Sequence, residues 1–348
     1  MSTMPPIQSA QPTPGATGRR RSDIEVLILT FNESANLPEA LRSVIDWADR
    51  VFVVDSGSTD GTQDIARQTG ATVIHKDWLG YARQKNWALQ NAGFTSAWTL
   101  ILDADESITP ELRDELLAIA ARPVSQVPET GFYLNRLTLF LGKPIRHCGW
   151  YPSYNFRFFK RSMARYEERE VHEHMVVNGP TGRLQNHMLH EDRRGLEHFI
   201  AKHNRYSTLE ARELMREALA KREDVAKRLE RGIAMRRWLK RNVLPKLPVS
   251  GLWRFMYMFI LRRGFLDGAV GFRFCLVIAM YDTMINLKLA ELRSLGVERD
   301  PGILDRPAAR GLARTEGSLT MLTSGDTDNA EPAAPGPALL RADSAGDS

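Results

Sequence analysis

Two cysteines in 348 residues, Cys148 and Cys275, are too few for a disulfide framework. No Cys/His spacing of the kind that holds zinc is present either. Met1 to Gly18 is rich in Pro, Ser, Thr and Gln but has no apolar core, so no secretory signal is expected and a reducing cytoplasmic compartment is. No charge-free apolar run approaches the roughly 20 residues that a simple spanning helix needs. The most apolar stretch, Leu252 to Leu292, is interrupted by Arg254, Arg262, Arg263, Asp267, Arg273, Asp282 and Lys288. Nucleic-acid recognition motifs are also missing, so the basic residues do not imply a nucleic-acid partner.

The net charge of +5 is modest but unevenly spread. Between Leu219 and Lys246 ten Lys/Arg face three Asp/Glu, a local +7 that leaves the remainder near −2. Residues 1–22, with Arg19-Arg20-Arg21 near their end, read as a disordered arm, and 298–348 as a disordered tail, because neither can bury enough apolar surface to offset its ordering entropy.

Between these ends the chain alternates. Ile24-Glu-Val-Leu-Ile-Leu29, Arg50 to Asp55, Ala71 to His75 and Trp98 to Leu102 have the β-branched and apolar content of buried strands. Helical spacing lies between them: Leu37, Leu41, Val44, Ile45 and Ala48, with Asn36 and Glu39 placed as a capping box; a helix ending at Gly70; and Tyr81, Lys85, Ala88, Leu89 and Ala92. Repeated βα units predict an α/β fold with a doubly wound, mostly parallel sheet. From Gly131 longer strands and turns predict a mixed half, with strands at Phe132 to Leu141, Tyr154 to Phe159, Val171 to Val177 and Leu184 to His190. The expected division is a nucleotide-binding half over 23–122, an acceptor half over 123–200, and a helical, basic, amphipathic region over 201–297.

The residues with most chemical content end the strands. Glu33 follows the first, Asp55 ends the second, and Asp103 and Asp105 end the fourth, so βαβ order places them on one sheet edge, where open α/β sheets bind ligands. In near-extended backbone Asp103 and Asp105 would turn the same way and could share a divalent cation. The plainer alternative is a solvated turn whose acids cap the helix after Thr109-Pro110. Gly149 to Tyr154, with Arg146 and Arg157, suits a phosphorylated sugar acceptor, ring faces stacking and arginines pairing with phosphate; a loop packed by its own aromatics fits equally well. The region 252–292 reads either as two amphipathic helices in a bilayer interface, the polybasic segment facing anionic headgroups, or as a packed helical subdomain.

Leu29-Thr-Phe-Asn-Glu33, Val53-Val-Asp-Ser-Gly-Ser-Thr-Asp-Gly-Thr62 and Leu102-Asp-Ala-Asp-Glu106, in that order, resemble the family-2 glycosyltransferases of the GT-A fold. Asp77 to Asn86, Val171-His-Glu173 and Phe265 to Gly271 are similar to the lipopolysaccharide core β-1,4-glucosyltransferase branch. The resemblance spans about Ile24 to Leu292. It implies that Thr30, Glu33 and Asp55 hold the nucleoside, Asp55 on the base, with Arg83 and Lys85 approaching the diphosphate. Asp103 would face the ribose and metal, Asp105 would ligate Mg²⁺ or Mn²⁺, and His190 is a further candidate for the metal shell or a phosphate. Glu173 would be the base that deprotonates the acceptor, unless His172-Glu-His174 is a strand without a role. His190 has a purely structural alternative too.

The resulting expectation is a metal-dependent inverting transferase, peripherally bound to the inner face of the cytoplasmic membrane. It would move a hexose, glucose from UDP-glucose in the favoured case, onto a lipid-linked glycan such as the lipopolysaccharide inner core. Polyprenyl-phosphate or exopolysaccharide glycosyl transfer is the nearest alternative. A non-catalytic nucleotide-sugar-binding protein at the membrane surface is another, against which Asp103, Asp105 and Glu173 argue.

Overall fold

Alternation along the first strand, β1 (Ile24–Thr30), sets the layering. Ile24, Val26 and Ile28 enter one core and Leu27 the other, so the sheet is covered on both faces. The computed structural model describes residues 22–161, 163–166, 175–223, 250–297, 300, 302 and 304. β2 (Arg50–Asp55), β3 (Thr72–His75) and β4 (Trp98–Asp103) join β1 in the order β3-β2-β1-β4, all parallel. Helices α1 (Leu37–Arg42), α2 (Thr62–Gln68) and α4 (Pro110–Ala120) place Leu37, Leu41, Ala66, Leu112 and Leu116 in the first core. Helix α3 (Tyr81–Asn91) contributes Ala82 and Ala88 to the second.

The mixed half continues the same sheet. β5 (Glu106–Ile108), β6 (Gly131–Phe140), β8 (Tyr154–Lys160) and β11 (Thr181–His190) complete the order β3-β2-β1-β4-β8-β6-β11-β5, with β7 (Lys143–Pro144) paired to β6. β8 runs antiparallel to both β4 and β6, so it is the seam between the halves. Trp98 stacks on Phe158 across that seam, with centroids 4.7 Å apart. A separate antiparallel pair, β9 (Ala164–Tyr166) and β10 (Met175–Val177), lies beside α3.

Three local expectations change. The first helix stops at Arg42, and Val44 to Ala48 continue as turns. Asn36 makes no side-chain cap bond; its amide is drawn toward the chain near residue 192 instead, so the expected capping box is not formed. The boundary expected at residue 200 falls inside α5 (Gly195–Glu223).

The last described helices are α6 (Ser250–Met256), which runs on through a π-helical turn at Tyr257–Leu261, and α7 (Gly268–Ser294), which packs on both α5 and α6. By length and composition one helix among the described residues, Gly264–Ser294, is apolar enough to cross a membrane, yet 44% of its most apolar window is buried against the rest of the chain. Phe274, Cys275 and Ile278 of α7 share a core with Phe140, Ile145 and Trp150 of the mixed half. Most of the basic segment expected to meet anionic lipid, residues 224–249, lies outside the described residues.

Close approach at the start of α7 requires glycine. A Cβ on Gly271 would stand 2.2 Å from the Gly264 carbonyl oxygen and 2.8 Å from Asp267 Cβ. Alanine is normally favoured over glycine inside a helix by about 1 kcal/mol. Here Gly271→Ala is expected to reverse that sign and destabilise by about 1–3 kcal/mol, since backbone must move to admit the methyl. Urea unfolding checks it, and a variant as stable as wild type would contradict the packing.

Candidate active site

The C-terminal ends of β1, β2 and β4 bring their acids to one edge. Asp55 is fully buried and holds the turn that follows it: Oδ1 accepts from the Gly57 and Ser58 amides at 3.0 and 2.9 Å and from Gln63 Nε2 at 2.7 Å. Its Oδ2 accepts from Thr30 Oγ1 at 2.9 Å and from the Ser58 hydroxyl. Gly57 can make the turn because it sits at φ +92°, where a side chain would be strained.

Asp103 and Asp105 are close, but a turn at Ala104-Asp105 replaces the extended backbone expected there, and the two side chains take different partners. Asp103 Oδ2 accepts from Arg157 Nη2, and Lys85 Nζ lies 3.8 Å from its Oδ1. The Arg157 Nη2 also reaches Glu106 Oε1 at 2.9 Å, and Glu106 Oε2 accepts from the Asp103 amide at 3.0 Å, so the turn is tied at both ends. Arg136 Nη1 stands 3.9 Å from Glu106. Burial works against the Arg157 charge, but Asp103 and Glu106 outweigh it and keep the guanidinium firmly protonated. Lys85 is itself buried and sits 4.9 Å over the Tyr166 ring.

Asp105 faces the other way, its Oδ2 3.3 Å from His190 Nε2. Burial raises its pKa, yet His190 and Lys202 more than compensate and hold the carboxyl below its ordinary range. Neither ring nitrogen of His190 has a hydrogen-bond partner among the described residues. The chain after His190 then folds back across the site. Arg194 donates from Nε and Nη2 to Asp192, each at 2.8 Å, and from Nη1 to Glu33 Oε1 at 2.9 Å. Asn36 links Glu33 to the same segment, donating to Glu33 Oε2 at 2.8 Å and accepting from the Arg193 amide at 2.7 Å. Burial, opposed by Arg194 and aided by Asp105, pushes the Glu33 carboxyl up to about 7.

Thr30, Glu33, Asp55, Lys85, Asp103, Asp105 and His190 are therefore at one sheet edge. Arg83 is exposed on the first turn of α3, while Lys85, two residues on, points inward. Two acceptor-side expectations are corrected. Arg157 is buried beneath Asp103 as its counter-ion, and Trp150 is buried with its ring 5.1 Å from Phe274, so neither presents an open face. Arg146 is exposed beside His187, whose pKa burial and Arg146 together lower. Glu173, His172 and His174 lie outside the described residues. Sequence reasoning misses Arg194, Lys202 and the pairing of Arg157; the Glu191-Asp192-Arg193-Arg194 run directly after a strand is the available signal.

The donor set suits a hard cation of the Mg²⁺ or Mn²⁺ type, being carboxylate and imidazole without thiolate. His190, with no hydrogen bond of its own and its Nε2 aimed at Asp105, fits that task. No group of three or more His, Cys, Asp or Glu among the described residues is placed to hold a metal alone, because Asp103 is turned toward Arg157 and Lys85. Such a cation would draw further ligands from its substrate, the usual mode for Mg²⁺ at phosphates.

The chain is similar to known proteins. The family model for glycosyl transferase family 2 matches residues 25–181. An uncharacterized glycosyltransferase of Rickettsia prowazekii is 30% identical over 288 residues, 79% of this chain and 88% of that protein. The chain belongs to glycosyl transferase family 2. The transferase is also 31% identical over 198 residues to the lipopolysaccharide core biosynthesis glycosyltransferase LpsC of Rhizobium meliloti, covering 54% of this chain and 70% of that one. Among solved structures it is similar to a mannosyltransferase of Pyrobaculum calidifontis in complex with GDP-Man and Mn²⁺, at 16% identity and a TM-score of 0.44, covering 80% and 90% of the two chains.

The Glu33 carboxyl makes a stability test. Its folded pKa lies above the ordinary 4.5, so between pH 4.5 and 7 the folded state binds the extra proton and stability falls as pH rises. A glutamine cannot lose that proton. The stability of wild type minus that of Glu33→Gln is expected to drop by about 3 kcal/mol from pH 4.5 to 7.5, read by urea unfolding across the range. A difference independent of pH would show that Glu33 is not held protonated by its burial.

Proposed function

We propose that this family-2 glycosyltransferase transfers a hexose, glucose from UDP-glucose in the reading best supported, with inversion, onto a lipid-anchored glycan of the lipopolysaccharide inner-core type. The observation that carries the transfer chemistry is the Asp105–His190 contact at 3.3 Å beside Asp103, Lys85 and Arg157 on the strand-end edge. Similarity to LpsC favours the core acceptor.

In this reading Asp105 and His190 hold Mg²⁺ or Mn²⁺, and the bound cation supplies charge neutralisation to the departing nucleoside diphosphate. Lys85, buried beside Tyr166, adds a fixed positive charge on the same side. Thr30 and Asp55 fix the nucleoside pocket, where the base N–H takes the place of the Gln63 amide on Asp55. Arg83, exposed at the mouth, guides the diphosphate in. Arg146 marks the acceptor side, and Glu173 takes the proton from the attacking hydroxyl. A lipid-anchored acceptor also places the enzyme at the inner face of the cytoplasmic membrane, in agreement with the exposed apolar residues of α6 and α7 and the charge of 219–246.

A panel of radiolabelled nucleotide sugars, incubated with truncated lipopolysaccharide and with or without EDTA, tests the donor, the acceptor and the metal. UDP-glucose should label the truncated core, and EDTA should abolish the signal. Asp105→Asn, which keeps the volume of this fully buried side chain, should lose transfer while remaining folded by circular dichroism, and full activity of that variant in excess EDTA would overturn the metal assignment. Glu173→Gln should reduce turnover by about 10²- to 10⁴-fold with donor affinity unchanged, because it removes a base and little else. Retention of most turnover would mean that the acceptor needs no base, as a phosphate acceptor would not.

A further inference from the structure

Beyond the catalytic edge, the largest unexplained feature is an apolar surface on the C-terminal helices. Along α6 and its π-helical extension Leu252, Trp253, Met256, Tyr257, Ile260 and Leu261 are all at least 40% exposed, at the one- and four-residue spacing of a single helical face. The connection continues it with Phe265 and Leu266, and Phe272, Leu276 and Met280 of α7 extend it at four-residue steps. A water-facing surface of a monomer rarely shows so many large apolar side chains together. The exposed rings rest on half-buried ones: Phe272 packs on Phe255 and Phe259 with centroids 5.4 and 5.6 Å away, and Phe265 lies 6.3 Å from Phe259.

Charge identifies what covers this face. Arg262 and Arg263 sit exposed at the turn between the helices and Arg273 beside Phe272, and among the described residues from Leu252 to Met280 the one acid, Asp267, is turned inward. Apolar side chains bordered by exposed arginines fit the boundary between acyl chains and anionic headgroups.

The same turn is bolted to the acceptor side. Asp267 accepts from the His147 amide at 2.8 Å and the Arg146 amide at 3.3 Å, and its Oδ1 is 2.7 Å from His147 Nδ1. The Cys148 amide donates to the Arg262 carbonyl at 3.0 Å, and Gly149 lies so close that a Cβ there would stand 2.6 Å from Arg262 Nε. Trp150 completes the joint against Phe274.

We propose that the turn formed by Tyr257–Leu266 is a wedge that inserts into an anionic lipid leaflet and, through Asp267 and Arg262, sets the 146–150 loop at the bilayer surface, where a lipid-anchored acceptor presents its sugar. This deepens the membrane-surface reading above and rests on it. The basic segment 219–246 supplies long-range attraction; the wedge supplies the apolar anchorage.

Flotation of the full-length protein with vesicles of phosphatidylglycerol and phosphatidylethanolamine, against vesicles of phosphatidylcholine, tests the wedge. Wild type should float with the anionic vesicles and much less with the neutral ones. Leu261→Glu with Leu266→Glu, both more than half exposed and so harmless to the core, should weaken flotation by about tenfold or more, the scale expected when two apolar side chains lose their burial. Leu209→Glu, equally exposed but on α5, should float like wild type. If wild type floats and the double variant floats as well, the wedge is wrong while membrane binding stands. If wild type floats with neither vesicle, both readings fall. Light scattering supplies the remaining outcome: a wild-type dimer that the double variant converts to monomer, with flotation unchanged, would assign the face to a second copy and overturn the proposal.

Discussion

One guanidinium ties the two halves of the sheet together at the strand-end edge. Arg157 projects from β8, the antiparallel strand at the seam, and its Nη2 reaches both Asp103 at the end of β4 and Glu106 at the start of β5. Removing three charges from water is expensive, and the arrangement is tolerable only because each finds a partner. Its consequence is geometric. With Asp103 and Glu106 both fixed, and Glu106 accepting from the Asp103 amide, the intervening Ala104-Asp105 turn has little freedom left, and Asp105 is presented toward His190. The acid pair that a motif search treats as one unit is thus divided in its work. Asp103 is bound into the scaffold by Arg157, and Asp105 turns to His190.

A second constraint acts from the opposite direction. β11 ends at His190, and Asp192 and Arg194 then clamp onto Asn36 and Glu33, residues that follow β1. Burial disfavours the Asp192 carboxylate, but Arg194 and Lys202 more than compensate and keep its pKa well below the usual carboxylate range. α5 begins at Gly195, immediately past this clamp. The site is closed by one segment from the first strand and one from the last, which is why the division expected near residue 200 does not correspond to a break in the structure.

Much of this is readable in the sequence where local pattern suffices. β1 to β4 and their terminal acids emerge from β-branched runs alternating with helical spacing, because parallel strands carry both signals on a single stretch of chain. β5 is not legible: three residues immediately after an Asp-x-Asp turn have no periodicity to detect, and pairing with β11 is a contact across about 80 residues of chain. Arg157 reads as an acceptor-facing residue because it stands with Arg146 beside the aromatic stretch Gly149 to Tyr154. Its partners are carboxylates at the ends of other strands, which only the sheet order reveals. Trp150 fails for a related reason, since the residue it packs on, Phe274, lies far along the chain. Glu173 stays an expectation from the resemblance, being outside the described residues.

The same contacts separate what is generic in the enzyme from what is particular. The family match ends at residue 181, and so contains Thr30, Asp55, Lys85, Asp103, Asp105 and Arg157 but neither His190, Arg194 nor α7. The strand-end acids, with the Lys85 and Arg157 that face Asp103, therefore lie in the shared part. The chain beyond residue 181 adds the imidazole beside Asp105, the clamp on Glu33, and the turn and helix whose Gly264 and Gly271 allow Asp267 to reach the 146–148 backbone. A chain ending at the family boundary would retain the acids but lose the groups that orient one of them and the support of the 146–150 loop.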